Sequence, residues 1–517
     1  MQRRSLVLAG CSLMGANALL SGCTTVSPPA WPASGVQADG TAELRWLNRI
    51  TWGVDSATLA AARRVSRRDF LGAQLHPASA QGLPDVVQSQ IDALALTQKP
   101  LETWVAEMDQ RRRDADANVD DTAKKAAQQA YQQDMNQLAR DAAARMLLRC
   151  LYSPHQLQEQ LTWFWFNHFN VHQYKGNLRI LVGDYESRLR AGALGRFSDL
   201  LIASATHAAM IRYLDNEQNG VNRLNENFAR EVMELHTLGV DGGYSQRDVQ
   251  ELARVLTGLG IAAVDKPPVL RAALQPLYVR QGLTEFNPAR HDMGSKLVLG
   301  VAVSGQGWTE IIDQLNRLAR HPATSQHVCR RLAIYFSTDQ PAPQLLAPMV
   351  HAFDASGGDI AVTLQAMFDT PSFSASLGRK FKDPMHYVVS SLRLAYDAKA
   401  IVNAGPALGW LGRLGEAPYN RATPDGYPMD EASWSSSGQM GARFDVARAI
   451  GSGNAGLFRT DGARPTERAA FPQLSNALYH EAIVQTLSES TRRALDAATS
   501  PQEWNVLLLS SPEFMYR

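Results

Sequence analysis

Residues 225–239 read NENFAREVMELHTLG, a segment in which Asn225 can cap a helix and Gly239 can end it. On a wheel of about 100° per residue, Glu226, Asn227, Arg230, Glu231 and Glu234 share one face, opposite Phe228, Val232 and Leu235. Carboxylates grouped around one guanidinium suit acid–base work. Arg230 keeps one of them ionised while a neighbour in a drier place keeps its proton. Read as a plain solvated face, the same residues give Glu226–Arg230 and Arg230–Glu234 ion pairs worth about 0.3–0.5 kcal/mol each. The catalytic reading makes Glu231 or Glu234 the acid/base and Arg230 the tuner of its pKa. His236 falls among the apolar positions, where a histidine more often packs than ligates.

Other segments carry the same chemistry. HQLQEQLTWFWFNHFNVH, read as one helix, holds His168 and His172 four residues apart, a spacing that lets two imidazoles share a metal. No glutamate follows the first histidine, so this is not the zinc-protease motif. His168, His172 and His236 are the candidate ligands for a divalent metal. The bland reading of the same helix is a buried one whose His and Asn bond to neighbours. His291 and Asp292, with Lys296 four positions beyond Asp292, form a third candidate group, and Asp215 and Asn216 in YLDNEQN could add substrate contacts with Asn225 and Asn227. Asp241-Gly242-Gly243 is not a calcium loop, because aligning its glycine leaves Thr237 and Gly239 where carboxylates belong. No phosphate-binding glycine loop and no G-x-S-x-G elbow is present.

The elements that must position these residues are mostly helical. Periodic apolar residues predict helices over 42–59, 84–106, 156–170, 185–204, 226–238, 246–257, 309–336, 342–355, 360–369, 384–398, 442–450 and 475–498. Ser245 and Asp248 spell a capping box. Residues 111–145 are polar and alanine-rich and predict an exposed helix or helical hairpin. Short β-prone pieces between 265 and 303 predict a small hairpin. Residues 403–442 read as a long loop whose Trp410, Tyr419, Tyr427 and Trp434 could stack on sugar rings. The expected fold is mainly α, a multi-helical, bundle-like body with a small β-hairpin element and long polar loops.

Composition narrows the class. The chain of 517 residues is 45% hydrophobic and 20% charged, with a formal charge of +1. That supports a sizeable core and gives no cationic field for nucleic acid. Arg3 and Arg4, a short apolar run and Leu20-Ser21-Gly22-Cys23 predict a signal peptide over 1–22 with lipidation at Cys23, followed by a Ser/Thr/Pro/Gly-rich tether over 23–41. The expected location is the periplasmic face of the cell envelope, lipid-anchored at the outer membrane. Export is by the general secretory or the twin-arginine route, the latter suggested by the paired arginines. Cys150 and Cys329, the remaining thiols, could pair there.

FWFNHF, HAAMIRYLDNEQN, NENFAREVMELHTLGVDGGYSQRDVQELARVLTG, HDMGSKLVLG, HPATSQHVCRRLA and TPDGYP together resemble the DUF1800 family of bacterial exported proteins, from about Leu44 to the C-terminus. The resemblance marks Asn225, Glu226, Asn227, Arg230, Glu231, Glu234, His236, His168, His291 and Asp292 as signature positions. It implies no reaction, and points to a DUF1501-type protein, similar to the alkaline-phosphatase and sulfatase group, as a partner. Two departures stand out: Thr257-Gly258-Leu259 replaces the family's T-G-W, and the polar stretch around 111–140 lies outside its pattern. Three functions follow: a carboxylate-dependent hydrolase or modifying enzyme for envelope or extracellular polysaccharide, a metal-dependent enzyme of redox or other chemistry, or a non-catalytic partner or scaffold for the DUF1501-type protein.

Overall fold

The computed structural model describes residues 40–78, 82–262, 267–459 and 471–517. The signal peptide, Cys23 and nearly all of the tether lie outside the described residues. The body is mainly α, with two small antiparallel sheets. Among the described residues, no helix is long and apolar enough to cross a membrane.

The first helix, Gly40–Ile50, buries Leu44, Leu47 and Ile50 as its period requires. It stops there, and a second helix starts at Ser56 with the Asp55 side chain accepting from the Thr58 amide. The expected single helix over 42–59 is therefore two. Leu101–Ala117 and Asp121–Tyr152 form the polar hairpin, closed by a small cluster of Met108, Tyr131, Met135 and Leu138. Its arginine triplet is exposed and paired with Asp109, Asp116 and Asp134. The C-terminal half of Asp121–Tyr152 then runs into the main core beside Gln156–His168.

The β region holds more than a hairpin. Thr284–Phe286 lies between Leu259–Ile261 and Val279–Gln281, antiparallel to both, with Leu259 and Val279 each opposite Phe286. Lys296–Val298 pairs separately with Val301–Val303. Beyond it, Trp308–Ala319 and Pro322–Phe336 are separate helices, with Pro322 at the start of the second. Cys150 and Cys329 are buried, unpaired thiols, so the disulfide left open by the sequence is not formed. Trp410, Tyr419, Tyr427 and Trp434 belong to the buried core. Three of them donate to backbone carbonyls: Trp434 Nε1 to Pro428 O, Tyr427 Oη to Ala417 O and Tyr419 Oη to Ala142 O. They do not offer a stacking platform, and 403–442 is not one long loop: Trp410 lies on the helix Gly405–Arg413 and Trp434 on the helix Glu431–Trp434, with all four rings packed into the core.

Candidate active site

The segment after Glu226 begins as an ordinary α-helix, Asn227–Glu231, and continues as a π-helix, Val232–Thr237. The Leu238 amide reaches back five residues to the Met233 carbonyl at 2.8 Å, and the Thr237 hydroxyl donates to Val232 O at 2.6 Å. A wider turn changes which residues share a face beyond position 232, and it leaves carbonyls near the helix end without amide partners. Two histidines take them. His168 Nε2 donates to His236 O at 3.0 Å and His327 Nε2 to Leu235 O at 3.1 Å. Gly239 permits the second contact: its φ is +82°, and a Cβ there would lie 2.9 Å from His327 Nδ1.

This geometry decides the fate of the metal candidates. The helix carrying His168 ends at that residue, so His172 lies beyond the last turn, beside Tyr174. The His168 and His236 rings are 6.2 Å apart, and the His168 and His327 rings 5.9 Å. Burial holds His168 well below the usual imidazole range, His236 down to about 3 and His327 down to about 4, with Arg331 pushing all three the same way. They are neutral capping groups. Among the described residues no set of three or more His, Cys, Asp or Glu is placed to hold a metal ion, so His168, His172 and His236 do not form the expected site.

The amides of the neighbouring segments are also committed. Buried Asn216 donates to Leu256 O at 3.1 Å and Leu259 O at 2.8 Å, which removes it from any substrate role. Asn225 accepts from the Asn227 amide at 3.0 Å and donates to Asp215 O at 3.2 Å. The exposed Asn227 donates to Leu214 O at 3.2 Å. Asp215 pairs with Lys175 at 2.8 Å. These contacts tie 213–220 to the start of the 227–237 helix and hold its direction.

The charged stripe divides in two. Glu226 and Arg230 pair at 3.2 Å, and Gln246 bridges both, donating to Glu226 at 2.6 Å and accepting from Arg230 at 2.9 Å. This half is the solvated network, worth at most about 1 kcal/mol. The other half faces different neighbours. Glu234 accepts from Tyr244 Oη at 3.5 Å. Glu231, partly buried, makes no hydrogen bond or ion pair with any described residue. Burial, then the charges of Glu234 and Asp425, push its carboxyl above the usual range, against the opposing pull of Arg230.

Asp425 comes from a loop clamped onto the end of the Gln156–His168 helix. Asn170 Nδ2 donates to Arg421 O at 2.9 Å and Thr423 O at 2.8 Å, Tyr213 Oη donates to Ala422 O at 2.7 Å, and the Tyr427 amide to Asn167 Oδ1 at 3.4 Å. Asp425 itself is exposed and paired with Arg421 at 3.1 Å. Burial and the charges of Glu231 and Asp425 push the Tyr213 phenol up, which places all three within electrostatic reach. On the far side stands Arg331. Its guanidinium makes no hydrogen bond or ion pair with any described residue, and its Nε is buried without a partner. Burial lowers its pKa and the Asp425 charge opposes that. The uncommitted Glu231 carboxyl and the uncommitted Arg331 guanidinium are thus each within electrostatic reach of Asp425.

The model of the family described as "Protein of unknown function (DUF1800)" matches residues 45–516. The chain belongs to this family. No curated protein and no solved structure matches it.

Within this DUF1800 chain, five of the distinctive stretches meet at the site: FWFNHF, HAAMIRYLDNEQN, NENFAREVMELHTLG, HPATSQHVCRRLA and TPDGYP. HDMGSK does not join them. The Gln246–Val255 helix packs against both the 227–237 helix and the Lys296–Val298 strand, and so stands between. There, buried His291 donates Nδ1–H to Thr257 O at 2.7 Å, its Nε2 lies 3.2 Å from Glu310, and Lys296 reaches Glu310 at 2.5 Å. Asp292 pairs with Arg254 at 2.7 Å. His291 and Asp292 therefore brace the sheet against its helices and are not joined to Glu231. Leu259, where the DUF1800 pattern has tryptophan, is buried in the first strand. His327, Arg331, Asp425, Tyr213 and Asn170 complete the site, and no periodicity nominated them. Their signal was the distinctive stretches: His327 and Arg331 lie in HPATSQHVCRRLA, Asp425 in TPDGYP and Tyr213 in HAAMIRYLDNEQN, while Asn170 directly follows FWFNHF.

Proposed function

We propose that this DUF1800 chain is an acid–base enzyme for an acidic polysaccharide of the cell envelope, with Glu231 as the proton-transferring group. The observation that carries the reading is the Glu231 carboxyl itself: partly buried, without a partner, and flanked by Glu234 and Asp425. A carboxyl whose pKa is raised by burial and by neighbouring acids suits glycoside cleavage, where one group protonates the leaving oxygen and another activates water or attacks. Arg331 adds a fixed cation without a protein anion, suited to a uronate carboxylate or a sulfate on the substrate. With the loop aromatics buried, charge and hydrogen bonds carry recognition in place of stacking. The N-terminal export address supports an envelope location and a lipid anchor at Cys23.

The test is reducing-end release from uronic-acid and sulfated polysaccharides by the purified full chain. Glu231→Gln is expected to lower turnover by about 10²–10⁴-fold, the usual worth of a general acid or base, while Glu226→Gln, on the solvated half, stays within about twofold. Equal activity of wild type and Glu231→Gln would reject the assignment, and release from neutral polymers only would reject the anionic substrate class.

A further inference from the structure

Far from Glu231, at the junction of the N- and C-terminal segments, a buried amine has no hydrogen-bonding or ionic partner among the described residues. Lys382 is 4% exposed. Its backbone is fixed by the Lys382 amide donating to Met515 O at 2.8 Å and by Arg443 Nη2 donating to Lys382 O at 2.6 Å. Its Nζ makes no hydrogen bond or ion pair with any described residue and sits 3.7 Å from the centre of the Phe514 ring. Lys382 lines a cavity of about 60 Å³ whose walls include Leu44, Val54, Leu487 and Phe514. A second cavity of about 290 Å³ adjoins it through shared Leu44, Asn48, Thr486, Glu513 and Tyr516, and is lined further out by Arg45 and Arg517.

The acids around Lys382 are already committed. Glu513 accepts from the Ser488 amide at 2.9 Å and Thr491 Oγ1 at 2.8 Å. Asp383 is held by His386 at 2.8 Å, and burial pushes the Glu416 carboxyl up. Tyr516 Oη donates to Glu431 at 2.8 Å. Burial, then Arg443 and Arg517, push the Lys382 amine well down. A desolvated, unpaired lysine beside other cations is the environment that makes an amine nucleophilic. Arg45 is exposed at the outer wall and makes no ion pair with any described residue.

We propose that this two-chambered cleft binds a short carbonyl compound bearing a carboxylate, an oxo acid, which condenses with Lys382 to an imine. The Nζ lone pair attacks the carbonyl carbon, the carbonyl oxygen departs as water with the two amine protons, and a C=N bond remains. Arg45 receives the carboxylate.

Trapping with pyruvate and cyanoborohydride at pH 7, followed by peptide mapping, tests this directly. An ordinary lysine with a pKa of about 10.4 is only ~0.04% neutral at that pH. Lys382 is therefore expected to gain the reduced adduct at least about tenfold faster than exposed Lys125, with a rate that levels off at a lower pH. Arg45→Gln is expected to slow the Lys382 adduct about tenfold and leave Lys125 unchanged. Labelling of Lys382 no faster than Lys125 overturns the imine, and a Lys382 rate unaffected by Arg45→Gln overturns the carboxylate.

Discussion

Arg49→Leu is expected to abolish a cooperative native state. Arg49 is fully buried within the first helix, and its guanidinium donates to Phe336 O at 2.7 Å, Ser337 O at 3.1 Å, Ser376 O at 2.7 Å, Ser376 Oγ at 3.0 Å and Arg517 O at 2.5 Å. One side chain thus ties the start of the body to the Pro322–Phe336 helix, the 371–376 turn and the C-terminus. Leucine fills part of the volume, and Ser376 O keeps the Arg379 amide and Arg517 O the Lys380 amide, but Phe336 O and Ser337 O lose their donor, at about 1–3 kcal/mol each. Two such losses, about 2–6 kcal/mol, with the weakened bonding at the other acceptors, reach the lower end of a typical protein's stability, about 5–15 kcal/mol. Relief from burying a cation offsets part of this cost, but it does not supply the missing donors. Circular dichroism melts check it: loss of the cooperative transition, or of soluble protein, is expected. Arg49→Lys should fall between, since one ammonium has three donors and no fork.

Gly426→Ala is expected to disable the site while leaving the body folded. Gly426 has φ +76°, and a Cβ there would meet Asn167 O at 2.1 Å, a backbone atom that cannot rotate away. The left-handed conformation alone costs an alanine about 1–2 kcal/mol. The overlap adds displacement of the loop that carries Asp425, and with it the bonds from Asn170, Tyr213 and Tyr427. Turnover should fall by about 10²-fold, the scale on which an ångström of misplacement acts, with the helical signal unchanged. Gly243→Ala is the control: its φ is +79°, but nothing lies within 4 Å of the added carbon. It carries the backbone cost without the collision, and equal activity losses in the two variants would contradict the steric argument.

Local rules carried much of the fold. The capping box at Ser245 and Asp248 forms as spelled, Pro322 opens its helix, and the Leu44–Leu47–Ile50 stripe is buried. Arg49 is buried beside that stripe because partners 287 to 468 positions away receive it, and no window of sequence contains them. The site divided in the same manner. The stripe at 226–234 was legible as a stripe, but a uniform helical wheel cannot contain a π-turn, which persists here because His168 and His327 satisfy the carbonyls it frees. His172 lost its pairing with His168 because the helix ends one turn sooner than its apolar pattern suggests. The tryptophans and tyrosines of 403–442 read as loop aromatics because its Gly and Pro hid the helices Gly405–Arg413 and Glu431–Trp434 and gave no sign of where the segment packs. Arg331 and Asp425 are meaningful only through what they face, and that is a tertiary property.

The most direct measurement is the titration of the Glu231 carboxyl, read by ¹³C NMR of selectively labelled protein and assigned by the resonance missing from Glu231→Gln. A midpoint clearly above the ordinary glutamate value of about 4.3, dropping when Asp425→Asn removes a neighbouring negative charge, is the expected result. A midpoint at or below the ordinary value, indifferent to Asp425, would mean that Glu231 is a solvated surface acid and that the stripe has no proton to give.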